Sequence, residues 1–253
     1  GTHVAGTIAA QANGENIIGV APGAQIIALK VLNDEGVGRL SWSIDAIDHA
    51  IEVIESNNLD KEDVVLNMSL GGGFHQPTDE AVKRAADLGI RFALAAGNET
   101  QDVDNVSPAA AGDHPNVYTI SASDNTYNMA WFSNYDDPDG DDVDFAAPGV
   151  SVKSLTTDGD LVSKNGTSMA SPHMAGLLLL EDPFVQGPWV EGNSGGYGDY
   201  FSTLEYDGHD DDDDDDGPDE GTIIFDDYAD LGAGDGVQIS GEYAGFEWSS
   251  NAY

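Results

Sequence analysis

Ser168 stands in the run GTSMASPHMAG (166 to 176), between a Gly-Thr pair and small residues that lead into an apolar segment. A serine hydroxyl is a poor nucleophile until a base takes its proton, so acyl-transfer chemistry there needs an imidazole within hydrogen-bond reach. The same serine reads equally well as the cap of a helix running to Leu180. The two roles agree in location, because a helix start offers free N–H groups and the positive end of its dipole, where a developing oxyanion is stabilised. Six histidines are available: His3, His49, His75, His114, His173 and His209. None has the HExxH spacing of a zinc site, and His173, inside the serine run, reads as structural. From its surroundings alone Asn98, at the tip of AAGNE, is a strand-end turn residue.

The elements that must position these residues alternate. AQIIALKVL (24 to 32) is apolar and rich in β-branched residues, which predicts a buried strand. Ile44, Ile47, Ile51 and Ile54 recur at helical spacing behind candidate caps Ser41 and Ser43. DVVLNMSLGG (63 to 72) reads as a strand, Thr78 as the cap of a helix through Leu88, and 90 to 98 and 116 to 123 as two more strands. Repeated strand–helix–strand units predict an α/β fold with a mostly parallel sheet flanked by helices. Their binding residues gather at the C-terminal ends of the strands. NMSLGG and AAGNE both end strands.

Taken together, GTHVAGT (1 to 7), NMSLGG (67 to 72), AAGNE (95 to 99) and GTSMASPHMAG resemble, in this order, the core motifs of subtilisin-like serine peptidases. GVAPGAQIIALKVLNDEGVGRLS (19 to 41) and AAPGVSV (146 to 152) are similar to the same family. The resemblance covers roughly residues 1 to 180 and implies a three-layer subtilisin-like fold. It implies Ser168 as nucleophile, His3 as base and the Asn98 amide as oxyanion donor. For an extended polypeptide substrate it implies Gly36, Val37 and Gly38 as an edge for strand addition. Ser69, Leu70, Gly71, Ala95, Ala96 and Gly97 would wall the primary side-chain pocket, with Leu40 lining an outer, apolar one. QANGENI (11 to 17) resembles the family's calcium loop, with the Asn13 side chain and the carbonyls of Gln11, Glu15 and Ile17 as structural Ca²⁺ ligands. The family's catalytic aspartate sits in an Asp-Ser/Thr-Gly context upstream of the histidine. The chain is therefore expected to be a fragment without it, at most feebly active, since losing that carboxylate in a related triad costs about 10⁴ in turnover.

Composition narrows the function classes. The 253 residues suffice for one full domain, assigned to 1–182, with an acidic Gly/Pro/Asp-rich linker at 183–221 and a possible β-rich start at 222–253. Within the linker, Asp212, Asp214, Asp216 and Gly217 fit the opening of a D-x-D-x-D-G loop. A seven-Asp run fits any such alternation, so a solvated linker is the expectation. There is no cysteine, and no apolar run reaches the length of a membrane span. Acidic residues number 47 against 8 Lys and Arg, a net charge of -39, which makes nucleic acid and anionic membrane poor partners. The reading is a secreted, monomeric, acid-surfaced endopeptidase of a salty habitat. Its rivals are an inactive family scaffold that binds peptides or surfaces, and an acidic calcium-binding extracellular protein.

All eight basic residues precede residue 181, yet acidic residues still outnumber them about threefold there, so self-repulsion acts on the folded part as well as the tail. At roughly 1 M salt the Debye length falls to about 3 Å and that repulsion is screened. Thermal unfolding followed by circular dichroism is expected to move to higher temperature as NaCl is raised from about 10 mM to this range. A salt-independent midpoint contradicts the assignment.

Overall fold

The computed structural model describes residues 1–136 and 142–180 together with the backbone of 184–189 and 200–203. In chain order the helices and strands are α1 (Thr2–Ala9), α2 (Leu40–Asn57), β1 (Val65–Met68), β2 (Gly72–Gly73), α3 (Gln76–Ala86), β3 (Arg91–Ala95) and β4 (Val106–Ser107). They continue with β5 (Val117–Ser123), β6 (Phe145–Pro148), β7 (Val152–Leu155), β8 (Leu161–Lys164), α4 (Thr167–Leu180), β9 (Phe184–Trp189) and β10 (Tyr200–Thr203).

The main sheet runs β1-β3-β5-β6-β10-β9, parallel throughout except for the antiparallel β9/β10 pair. Successive side chains of a strand face opposite sides, and β3 shows what that does here. Phe92 and Leu94 join Ile47 and Ile54 of α2 and Val82 and Ala85 of α3 in one core, while Ala93 joins Ile8 of α1 and Met174 and Leu177 of α4 in another. β5 is split in the same way, with Val117 in the first core and Ile120 and Ala122 in the second. The result is the expected three-layer α/β arrangement.

Some boundaries differ from the sequence reading. Residues 24–32 form no strand: the segment makes one isolated bridge, Leu32 to Gly38, and Ile27 is 55% exposed. No strand of the described sheet lies alongside to offer a ladder, and an apolar run without a partner does not become a strand. α2 begins at Leu40, so Ser41 and Ser43 lie within its first turns instead of capping it, and Arg39 takes the cap position without a side-chain bond. Thr78 likewise lies inside α3, its hydroxyl 2.8 Å from Nδ1 of the cap residue His75. Two stretches of the expected linker, β9 and β10, extend the sheet beyond β6. The rest of 183–221, including Asp212, Asp214, Asp216 and Gly217, and all of 222–253 lie outside the described residues.

His173 is sealed inside α4, and burial pushes its imidazole down to about 4. His3 in the adjoining α1 is also held below its ordinary value, chiefly by desolvation. The unfolded chain protonates these rings first, so their contribution is complete above about pH 6.5 and is lost as pH falls toward the folded values. Between pH 6.5 and 5, where most carboxylates are still ionised, His173 alone should remove about 2 kcal/mol of stability. Urea midpoints measured over that interval should fall in the parent protein and fall less in His173→Gln. Equal slopes count against the assignment.

Candidate active site

α4 begins one residue after Gly166, whose φ of +146° only glycine adopts freely. Ser168 is therefore the second residue of the helix, not its cap, and its N–H has no partner four residues back within the helix. Pro172 lies four residues on and has no N–H to give, so the Ser168 carbonyl loses its usual helical bond. The missing donor is supplied from across the fold: Ser69 Oγ donates to Ser168 O at 3.0 Å. Ser69 Oγ also meets Ser171 Oγ at 2.9 Å and accepts from Asn67 Nδ2 at 2.9 Å, while Ser168 Oγ donates to Ser69 O at 3.3 Å. The C-terminal end of β1 is thus tied to the first turn of α4.

A second tie fixes Asn98. Its Oδ1 accepts from the Thr167 N–H at 2.9 Å and from Thr167 Oγ1 at 3.2 Å, and the Thr167 hydroxyl in turn accepts from Gly97 N at 3.0 Å. A backbone N–H can only donate, so the amide orientation is determined and its NH₂ is turned away from Thr167. The loop holding Asn98 is clamped by Asn134, which is fully buried. Asn134 Oδ1 accepts from Glu99 N and Gln101 N, and Nδ2 donates to Ala96 O and Glu99 Oε2. Gly97 has φ +105°, and a Cβ there would overlap the Asn134 amide, so this position requires glycine.

Asn98 and Ser168 line the same open cleft of about 210 Å³, together with Leu70, Gly71, Ala95 and Gly97. A neighbouring hollow of about 210 Å³ is lined by Gly36, Val37, Gly38, Leu40, Leu70 and Gly71. The hairpin carrying Gly36–Gly38 is set by Asn33, whose Oδ1 accepts from both Glu35 N and Val37 N. Two expected pocket residues face elsewhere. The Ser69 hydroxyl is turned to α4, and Ala96 packs with Val103, Val106 and Ala109 in a small core of its own. Thr167, Asn134 and Gln101 were missed; only Thr167, adjoining the serine, left a trace in the motif.

His3 is not placed as the base. It is 4% exposed, and Nε2 lies 3.1 Å from Val152 O and 3.2 Å from Val162 O, which makes that nitrogen the N–H donor to the β7–β8 hairpin. The lone pair then sits on Nδ1, buried and without a hydrogen-bond partner, and His3 lines neither hollow. His173 lies five residues past Ser168, about 140° round the helix. His49, His75 and His114 are engaged with Glu52, Thr78 and Asp87. Among the described histidines none bonds the Ser168 hydroxyl.

The residues of the expected calcium loop lie in a largely exposed segment. Gln11 O accepts from Asn13 N, and Asn13 Oδ1 accepts from Glu15 N in an exposed loop. Ca²⁺ takes six to eight oxygens, so these four would need others to complete a site. No group of three or more His, Cys, Asp or Glu among the described residues is arranged for a metal, and no helix there is long and apolar enough to cross a membrane.

Comparison with known proteins gives the same arrangement a family. A subtilisin-like serine protease of Rhodotorula mucilaginosa is 43% identical over 182 residues, 70% of this chain and 50% of that protein. Subtilisin E of Bacillus subtilis is 41% identical over 185 residues, 71% of this chain and 44% of that protein. The chain spans about half the length of the curated relatives it matches. The crystal structure of a cold adapted subtilisin-like serine proteinase superposes with a TM-score of 0.61 at 37% identity, covering 71% of this chain and 59% of the other. With the model of the subtilase family matching residues 1–182, which include β1, β3, β5 and β6, the cleft and the serine helix alike, the chain belongs to the subtilase family.

Proposed function

We propose that the protein is a serine endopeptidase in which Ser168 attacks the scissile carbonyl of a polypeptide. The observation that carries this reading is that Ser168 and Asn98, the latter with its amide fixed by Thr167, line one open cleft at the start of α4. The Ser168 N–H and the Asn98 NH₂ would hold the oxyanion. The peptide would run as an added strand between the Gly36–Gly38 edge and the Leu70–Gly71 segment. Because none of the described histidines faces the serine, the imidazole base and its carboxylate come from residues other than these. The acidic surface fits a secreted enzyme working in high salt.

The same lack of a placed imidazole favours a second reading, a peptide-binding scaffold without turnover. A serine-directed fluorophosphonate separates the two. A version extended N-terminally should be labelled, and Ser168→Ala should not; the 253-residue chain alone should react and cleave feebly. In the extended protein Asn98→Ala should lower kcat by about 10²–10³-fold, the scale of one oxyanion donor in subtilisin, with little change in KM. A folded extended protein that takes no label supports the scaffold.

A further inference from the structure

The hollow beside the serine cleft has apolar walls, Leu32, Val37, Leu40 and Leu70, but Arg39 and Ser43 line it as well. Arg39 lines it and is its single charged residue. The guanidinium carbon lies 5.7 Å from the centre of the Trp42 ring, which holds the side chain in place without neutralising it. Among the described residues Arg39 has no carboxylate partner, although Asp34 and Glu35 are in the nearby hairpin and Asp34 is paired with Lys30. Arg39 also occupies the cap position of the 18-residue α2, whose N-terminus has neither a side-chain cap nor an acidic residue in its first turn. Such an end carries a partial positive charge and unfilled N–H groups. Ser43, one turn in, also lines the hollow; it is 4% exposed, and its hydroxyl bonds to none of the described residues.

We propose that this hollow is a subsite for an acidic side chain of the substrate, glutamate in particular. Its methylenes would lie against Leu32, Val37 and Leu40, and its carboxylate would be taken by Arg39, the open end of α2 and the Ser43 hydroxyl. The proposal rests on the reading of the cleft as a peptide site and replaces the purely apolar outer pocket inferred from Leu40. The site departs from the rest of the surface. A net charge of -39 draws cationic peptides overall, so a local cation selects one acidic position within an otherwise basic or neutral ligand.

The test is equilibrium binding, by fluorescence anisotropy, of dansyl-labelled hexapeptides to the full protein carrying Ser168→Ala. Glu, Gln or Lys is placed in turn two, three or four residues before the residue for the primary pocket. At one position Glu should bind about five- to tenfold more tightly than Gln, with Lys weakest. Arg39→Gln should erase the Glu-to-Gln ratio, Arg39→Glu should reverse the order in favour of Lys, and Ser43→Ala should reduce the ratio without abolishing binding. Equal binding of Glu and Gln at all three positions, or a ratio that survives Arg39→Gln, overturns the subsite while leaving the peptide cleft standing. Failure of every peptide to bind overturns the cleft reading itself.

Discussion

The acceptor bonds that Asn98 Oδ1 receives from the Thr167 backbone and hydroxyl hold the site together. They join the loop after β3 to the first residue of α4, two segments 69 residues apart in the chain. With the carbonyl oxygen committed, the amide hydrogens are directed without any rearrangement when charge appears. Such preorganisation is the condition under which a hydrogen-bond donor does most for developing charge. The four bonds of Asn134 and the required glycine at position 97 serve this one constraint, since each keeps the loop from relaxing away from the helix.

The sheet makes such a tie possible because β1, β3 and β5 all point the same way and end on the same side. The large residues of β3 face α2 and α3, while Ala93 faces α4 and lets that helix come close. Gly176 does the same farther along, where an added Cβ would fall 2.5 Å from Val20. Small residues on this layer are therefore a distance setting: they bring the start of α4 within hydrogen-bond reach of the strand ends.

Much of this was legible in the sequence, and what failed did so for physical reasons. The β3 and β5 strands and the isoleucine face of α2 were readable because period and burial coincide there. The places of Ser168 at a helix start and of Asn98 just past a strand end were readable because both are local features of the chain. His3 was misread because a buried imidazole is defined by its partners, and here these are carbonyls 149 and 159 residues away. Residues 24–32 looked like a strand for a related reason, since apolar character is local and a ladder partner is not. Ser69 was assigned to the pocket wall from its motif, yet its hydroxyl is drawn off by a carbonyl that Pro172 leaves without a donor.

That carbonyl has a consequence for how the protein comes together. A helix normally completes its first turn from its own backbone, but α4 cannot, because Pro172 withholds the donor and Ser69, 99 residues earlier, must provide it. The turn that bears Ser168 is thus incomplete until a long loop has closed. Loop closure on that scale costs entropy before any contact returns it. Ser168 is therefore expected to acquire its final geometry late, after the sheet is in register, so that partly folded forms of the chain lack the tie between Ser69 and α4.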